Sequence, residues 1–352
     1  MLPKKTNREI DALKTWFLAQ CRDLPWRNHP SPYAVWVSEV MLQQTQVAVV
    51  IPYFERWMQI FPTIQDLAKA DLDAVIKEWE GLGYYSRARN LHQGARYVVE
   101  NHDGILPHLE NQLQKIKGLG PYTIGAILSF AFHQRKAAVD GNVIRVLARY
   151  NCITEDITKS PTIKHIHALA QEMLPEIEPW IISEALIELG ATVCKRKPKC
   201  FECPLRNNCK AFAAGNADKL PFKSSKTAVT QLYRAVAVVS CGDAILIKRG
   251  SKGKIMSDLH EFPYFELNSA LVDPKALAQQ LFKEMQLKAD WQESLQEVKH
   301  SFTRYRAQLY PHSFTVKEKQ PIDGYEWVPK KRIKERAFSS GHKRILGQLS
   351  DL

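Results

Sequence analysis

No stretch of this 352-residue sequence is hydrophobic over the length needed to cross a bilayer. Its first segment, MLPKKTNREIDALKTWFLAQ, mixes charges where a secretory signal would place an apolar core. A soluble, intracellular chain is expected. Internal repeats and low-complexity tracts are missing as well, which excludes a solenoid or a disordered tail. Cysteine is too unevenly placed for a disulfide framework: of the seven, Cys194, Cys200, Cys203 and Cys209 crowd into one segment, the pattern of a metal site in a reducing compartment. Acidic residues are also in deficit, 37 against 49 Lys and Arg, for a formal charge of +12. With 45% hydrophobic and 10% aromatic residues this is a folded protein, and a polyanion such as nucleic acid is the economical partner. A generally basic soluble protein would show the same balance.

The length suits two domains. From residue 8 to about 215 apolar residues recur at helical spacing, in short segments punctuated by Pro and Gly. The stretch DKLPFKSSKTAVTQ (218–231) is polar and aperiodic and reads as a linker. Beyond it, YRAVAVVSCGDAILIKRG reads as a β-hairpin around Cys-Gly-Asp, SFTRYRAQLY and HSFTVKE alternate like strands, and PKALAQQLFKEMQL is helical, so the second half is α+β.

Chemistry concentrates in the helical half. In SPYAVWVSEVMLQQTQ, Ser31 is the expected N-cap and Pro32 the first helical residue, which puts Glu39 on an apolar stripe. A buried carboxylate must be paired, protonated or used; desolvation raises its pKa toward that of a general acid, whereas a structural ion pair would look the same in sequence. Gln43, Gln44, Thr45 and Gln46 are expected to continue this helix, as groups for base edges or as a solvated face. In AAVDGNVIRVLARY, Asp140 reads as a helix N-cap, held ionised beside the helix N-terminus. One carboxyl kept protonated and another ionised is the arrangement for cleaving a glycosidic bond through an oxocarbenium-like transition state. KGLGPYTIGA presents backbone N–H groups of a Gly118-x-Gly120 turn to an anion, with Tyr122 just beyond. GLGYYSRARN sets paired tyrosines beside Arg87 and Arg89, either a wedge into a base stack with phosphate clamps or a cap on a core. The loop CKRKPKCFECPLRNNC, Cys-x5-Cys-x2-Cys-x5-Cys, lacks the two separated Cys-x-x-Cys pairs of a zinc ribbon and suits one four-thiolate iron–sulfur cubane.

The order VWVSEVMLQQTQ, GLGYYSRARN, GLGPYTIGA, VDGNVIRVLAR and then the four-cysteine loop resembles the helix-hairpin-helix DNA glycosylase superfamily, and over the whole chain its adenine-excising MutY branch. That resemblance implies a multidomain protein. An all-α helix-hairpin-helix glycosylase domain with an Fe–S loop (1–217) would be followed by the 218–231 linker and an α+β Nudix-like lesion-recognition domain (232–352). It further implies a 4Fe–4S cluster on Cys194, Cys200, Cys203 and Cys209, and a monovalent or divalent cation at the hairpin. The implied partners are duplex DNA carrying 8-oxoguanine:adenine mispairs and other repair proteins, with no membrane; the implied protein is a monomer in the bacterial cytoplasm, associated with the nucleoid. Carried over by position, Glu39 would protonate adenine at N7 and Asp140 would stabilise the oxocarbenium, with Asn142 and Tyr122 assisting. Arg22, Trp26, Arg27, Leu42 and Glu184 would form the pocket for the extruded adenine. Gln44, Thr45, Tyr84, Arg87, Gly118, Gly120, Phe302, Thr303 and Arg304 would contact DNA or the lesion.

The chain departs from the family in three places. Five residues rather than six separate its first two cluster cysteines. LAQQLFKEMQL lacks the REx2EE carboxylates of the Nudix signature, so nucleotide hydrolysis is not expected. Phe302-Thr303-Arg304 replaces the Phe-Ser-His tip. Two other functions remain to be separated. An endonuclease III-like glycosylase/lyase needs a lysine amine where this chain has Tyr122. A non-catalytic Fe–S DNA-binding protein would gain nothing from two carboxylates near phosphate.

Overall fold

The computed structural model describes residues 7–28, 31–224, 228–250, 256–267 and 273–349. Chain contacts divide it into two compact units: Met1–Ala70 with Arg89–Ser225, and Asp71–Ala88 with Lys226–Leu352. The helices up to the hairpin are α1 (Asn7–Gln20), α2 (Pro25–Asn28), α3 (Pro32–Leu42), α4 (Val47–Ile60), α5 (Ile64–Lys69), α6 (Leu72–Glu78), α7 (Ser86–His102) and α8 (Glu110–Leu113). Then come α9 (Pro121–Ala126), running on into a π turn, α10 (Gly141–Tyr150), α11 (Ser160–Met173), α12 (Pro179–Thr192) and α13 (Lys210–Ala213). Among the described residues none of the helices is long and apolar enough to cross a membrane.

In the first unit Leu13 and Phe17 of α1 pack with Val143, Val146 and Leu147 of α10, Ile166 and Leu169 of α11, and Ile182 and Leu186 of α12. Residues this apolar at helical spacing bury one face of each helix and fix α10 and α12 side by side. Gly190 of α12 makes that approach possible, since a Cβ there would lie 2.5 Å from the Asn142 Cβ. Ser31 caps α3 by accepting from the Ala34 N–H at 3.1 Å. The helix is buried from Tyr33 to Met41 on every side, so Glu39 stands in a core rather than on one stripe. It ends at Leu42 because Gln44 takes a left-handed backbone (φ 59°), so the expected continuation through Gln46 is instead a turn. The start of the expected linker belongs to this unit: Ile157 N–H donates to the Phe222 carbonyl at 3.0 Å, and Ser224 is bonded to Asp156. Residues 225–227 lie outside the described residues.

In the second unit β1 (Thr230–Cys241) and β2 (Ala244–Arg249) form the expected hairpin over Gly242 (φ 55°). The sheet is completed by β3 (His260–Glu261), β4 (Tyr264–Leu267), β5 (Asp290–Ser294), β6 (Val298–Phe302), β7 (Tyr305–Thr315) and β8 (Tyr325–Pro329). Its spine is β3-β2-β1-β7-β5, with β4 on β1, β6 on β7 and β8 on β2. All pairings are antiparallel except β1 with β7, which run parallel from Thr230 opposite Tyr305 to Ser240 opposite Thr315. Side chains alternate across β1 as strand geometry requires. Ala235, Ala237 and Val239 face α14 (Pro274–Met285), while Val236 and Val238 face Phe338 and Ile345 of the segment ending in α15 (Ser340–Leu346). Both faces are covered, which is why this strand reads as an unbroken apolar run.

Candidate active site

Glu39, Tyr122 and Asp140 reach one cavity of about 680 Å³ in the first unit, from α3, the first turn of α9 and the N-cap of α10. The Tyr122 hydroxyl donates to Glu39 Oε2. Burial pushes the Glu39 carboxyl up to about 7; the Tyr122 hydrogen bond opposes this, and the charges of Asp140 and Glu184 add to it. Tyr122 is itself raised well above 10, by burial and then by Glu39, so it is a neutral phenol throughout the physiological range. Asp140 caps α10 as expected: Oδ1 accepts from the Asn142 and Val143 N–H groups at 2.8 Å each, and Oδ2 from Asn142 Nδ2 at 2.6 Å. Burial moves its carboxyl upward too, against the downward pull of those donors and of Arg145. One carboxyl thus has three donors at the positive end of a helix and the other has a single phenol, so the proton belongs on Glu39.

A charged wall closes the same cavity. Arg27 donates to Glu184 at 2.8 Å, to Glu188 at 3.0 Å and to the Arg22 carbonyl at 3.0 Å, while Arg22 holds Glu188 with bonds of 2.6 and 3.0 Å. Burial raises Glu188, yet Arg22 and Arg27 outweigh it and hold the carboxylate low; Glu184, with less pairing, is raised by burial. Glu188 is absent from the sequence reading although its spacing of four from Glu184 on α12 puts both on one face. Trp26, stacked edge-on against Phe54 at 5.4 Å, and Leu42 supply apolar lining. Gln44, Thr45, Gly118 and Gly120 also line this cavity. Gly118 (φ 89°) has no alternative, because a Cβ would meet the Asn90 side chain at 2.6 Å. Gly120 has open space and an ordinary backbone.

Asn142 extends the site toward the cysteine loop. Its Oδ1 accepts from Arg145 Nη2 at 2.7 Å, and Arg145 Nε donates to the Cys194 carbonyl at 2.8 Å. Arg149 then donates to Cys194 Sγ at 3.4 Å and to the carbonyls of Lys195, Arg196 and Leu220. All four sequence-predicted cysteines line one small, largely apolar cavity between α10, α12 and the loop. Burial and mutual repulsion raise Cys200, Cys203 (to about 12) and Cys209. Among the described residues no three His, Cys, Asp or Glu side chains converge on a single-ion site. Lys195, Arg196, Lys197 and Lys199 are exposed around the loop.

Comparison with known proteins matches both halves of the chain. The HhH-GPD superfamily of base excision DNA repair proteins matches residues 37–172, and the NUDIX domain matches 234–348. The adenine DNA glycosylase of Rattus norvegicus is 36% identical over 95% of this chain and 76% of its own length. The chain belongs to the adenine DNA glycosylase family. A thermostable thymine-DNA glycosylase shares the fold of the helical part (25% identity, TM-score 0.54, 59% of this chain and 98% of that one). So does an endonuclease III trapped as a covalent intermediate with DNA (24% identity, TM-score 0.53, 61% and 99%).

The second unit of this adenine DNA glycosylase family member carries the remaining predicted residues. Tyr84 is exposed and left-handed (φ 49°), at the tip of a loop with Gly81 and Gly83. Thr303 is left-handed as well (φ 49°), in the two-residue turn with Arg304 that joins β6 to β7. Phe302 is half-buried between the His300 and Tyr305 rings, and Arg304 lies exposed over Tyr305. Arg87 corrects the expected phosphate clamp: it is buried, donates to the Leu82 and Gly83 carbonyls at 3.1 and 2.9 Å, and lies against Trp79 and Tyr84. Desolvation lowers its guanidinium to about 10, against Tyr84, and its bonds to those two carbonyls brace the Tyr84 loop from within. α14 carries Gln279, Gln280 and Lys283 with one carboxylate, Glu284, which accepts from Gln280 Nε2.

Proposed function

We propose that this chain hydrolyses the N-glycosidic bond of adenine mispaired with 8-oxoguanine or guanine in duplex DNA, leaving an abasic site and an uncut strand. The buried Glu39 carboxyl with its single phenol donor, in one cavity with the Asp140 carboxyl and its three donors, carries this reading. The base must be extruded into that cavity, since the glycosidic carbon is inaccessible within the stack. Glu39 delivers its proton to N7 of adenine, the C1′–N9 bond breaks with its electrons going to the base, and Asp140 faces the positive charge that develops on the sugar. Water then adds to C1′ and its proton returns to Glu39. Trp26, Leu42, Arg22, Arg27 and Glu184 surround the extruded base, and Gln44, Thr45, Tyr84 and the 302–304 turn contact the opposite strand. Tyr122 supports hydrolysis over lyase chemistry, because a neutral phenol bonded to Glu39 cannot form a Schiff base.

The test is single-turnover excision on paired duplexes, adenine opposite oxidised or normal guanine. Adenine release is expected, with breaks only after heat or base; breaks without treatment would identify a lyase. Since Glu39 must be protonated and sits near 7, single-turnover excision should fall about tenfold per pH unit above 7. At acid pH it should fall again as Asp140 takes up a proton. A rate flat from pH 6 to 9 would remove Glu39 as the acid.

The four cysteines fit a 4Fe–4S cluster: they are four thiols on one apolar cavity, with an arginine at Cys194 to offset thiolate charge. When bound, the cluster supplies four covalent ties that fix the loop against α10 and α12. The purified protein should be brown and bleach on cluster loss; a colourless protein with stoichiometric zinc would refute the assignment.

A further inference from the structure

We propose that Glu80 is a positioning residue that fastens the Tyr84 loop to the Nudix-like domain, so that the two elements reading the base opposite adenine act as one body. This rests on the lesion-recognition reading given above. The segment Asp71–Ala88 lies between helices of the glycosylase half in sequence, yet it belongs to the same compact unit as Lys226–Leu352. Glu80, four residues before Tyr84, explains the attachment.

Its carboxylate is 5% exposed and serves donors from both parts of the unit. Oε1 accepts from the Phe338 N–H at 2.8 Å; Oε2 accepts from Lys343 Nζ at 2.7 Å and Lys77 Nζ at 2.9 Å. Lys77 also donates to the Arg336 carbonyl at 3.1 Å, and Arg249 pairs with Asp73 at 2.6 Å. Burial would raise Glu80, but Lys343, Lys77 and Phe338 outweigh it and hold the group low, so it stays charged. A buried carboxylate held by these donors has one acceptable geometry, and removing it strands the buried Phe338 N–H and takes the counter-charge from two solvent-reaching ammonium groups. On the other side the loop is internally stiff: Trp79 Nε1 donates to the Gly83 carbonyl at 3.1 Å, the Gly81 N–H to Tyr85 Oη at 3.1 Å, and Arg87 to Leu82 and Gly83. A displacement at Glu80 is therefore transmitted to Tyr84 rather than absorbed. None of these groups lines the excision cavity.

The experiment uses the full chain with Glu80→Ala, Glu80→Gln, which keeps the Phe338 bond and loses the charge, and Lys343→Met. Two readouts are taken: the ratio of single-turnover excision opposite 8-oxoguanine to that opposite guanine, and hydrogen exchange by mass spectrometry. For Glu80→Ala the ratio should fall about tenfold while excision opposite guanine stays within about twofold of the parent. Exchange should rise together in 79–85 and 336–343 and stay unchanged around Glu39 and Asp140. Glu80→Gln and Lys343→Met should show the same pattern more weakly, which separates docking from misfolding. Unchanged exchange, or raised exchange with an unchanged ratio, overturns the proposal. Tyr84→Ala is the reference: if it lowers the ratio and the Glu80 variants do not, docking is wrong. If Tyr84→Ala leaves the ratio intact, the lesion-recognition reading falls and this proposal with it.

Discussion

A Glu39→Gln variant should bind a duplex with adenine opposite 8-oxoguanine about as tightly as the parent and excise the base on the order of 10³-fold more slowly or worse. Gln has nearly the same shape and still accepts from Tyr122, so what is lost is the transferable proton. The same variant should be more stable than the parent at alkaline pH. Glu39 titrates near 4.5 unfolded and about 7 folded, so the folded state favours its protonated form, and that contribution is full below 4.5 and lost as pH rises through 7. The ionised group costs on the order of 3 kcal/mol above pH 7, which glutamine avoids. Thermal melting at pH 8 and pH 5 together with single-turnover excision checks both halves: the variant should gain stability at pH 8, and the gain should shrink at pH 5. A structural ion-paired glutamate behaves the opposite way, losing stability when neutralised.

Asp140→Asn should cost about 10²- to 10³-fold in excision while leaving the fold almost untouched, because Asn is as good an N-cap and keeps the acceptor for the Asn142 and Val143 N–H groups. Asp140→Ala should lose the same activity and a further ~1 kcal/mol of stability. The comparison divides the two duties of this side chain. If Asn retained more than about a tenth of the parent rate, the negative charge would not be what the reaction needs.

What could be read from the sequence was local. Ser31 and Pro32, Asp140 before its apolar run, Cys-Gly-Asp between two strands, and the helix at Pro274–Met285 are signals confined to a few residues, and the structure has them where expected. The carboxylate pair, Tyr122 and the four cysteines were legible because each sits inside such a signal. Long-range pairing was not. SFTRYRAQLY reads as one strand, but the left-handed Thr303 folds it into the β6–β7 turn, and the parallel partnership of β1 with β7 leaves no trace in either segment. Glu188 and Arg145 were missed because a charge on a helix face looks solvated until its partner from another helix is known. Arg87 misled for the same reason, its acceptors being carbonyls that only the folded loop supplies.

Gln44, Tyr84 and Thr303 share a left-handed backbone although none is glycine. Such positions hold about 1 kcal/mol or more of strain each. In a population of variants selected for heat resistance alone, glycine should accumulate at all three, since it relieves the strain at no steric cost. The survivors would be sturdier proteins that lack the side chains proposed to face the opposite strand. Comparing heat-selected with repair-selected libraries at these three points, with the equally left-handed Asp103, His133 and Glu178 as controls, would show whether repair function defends any of them.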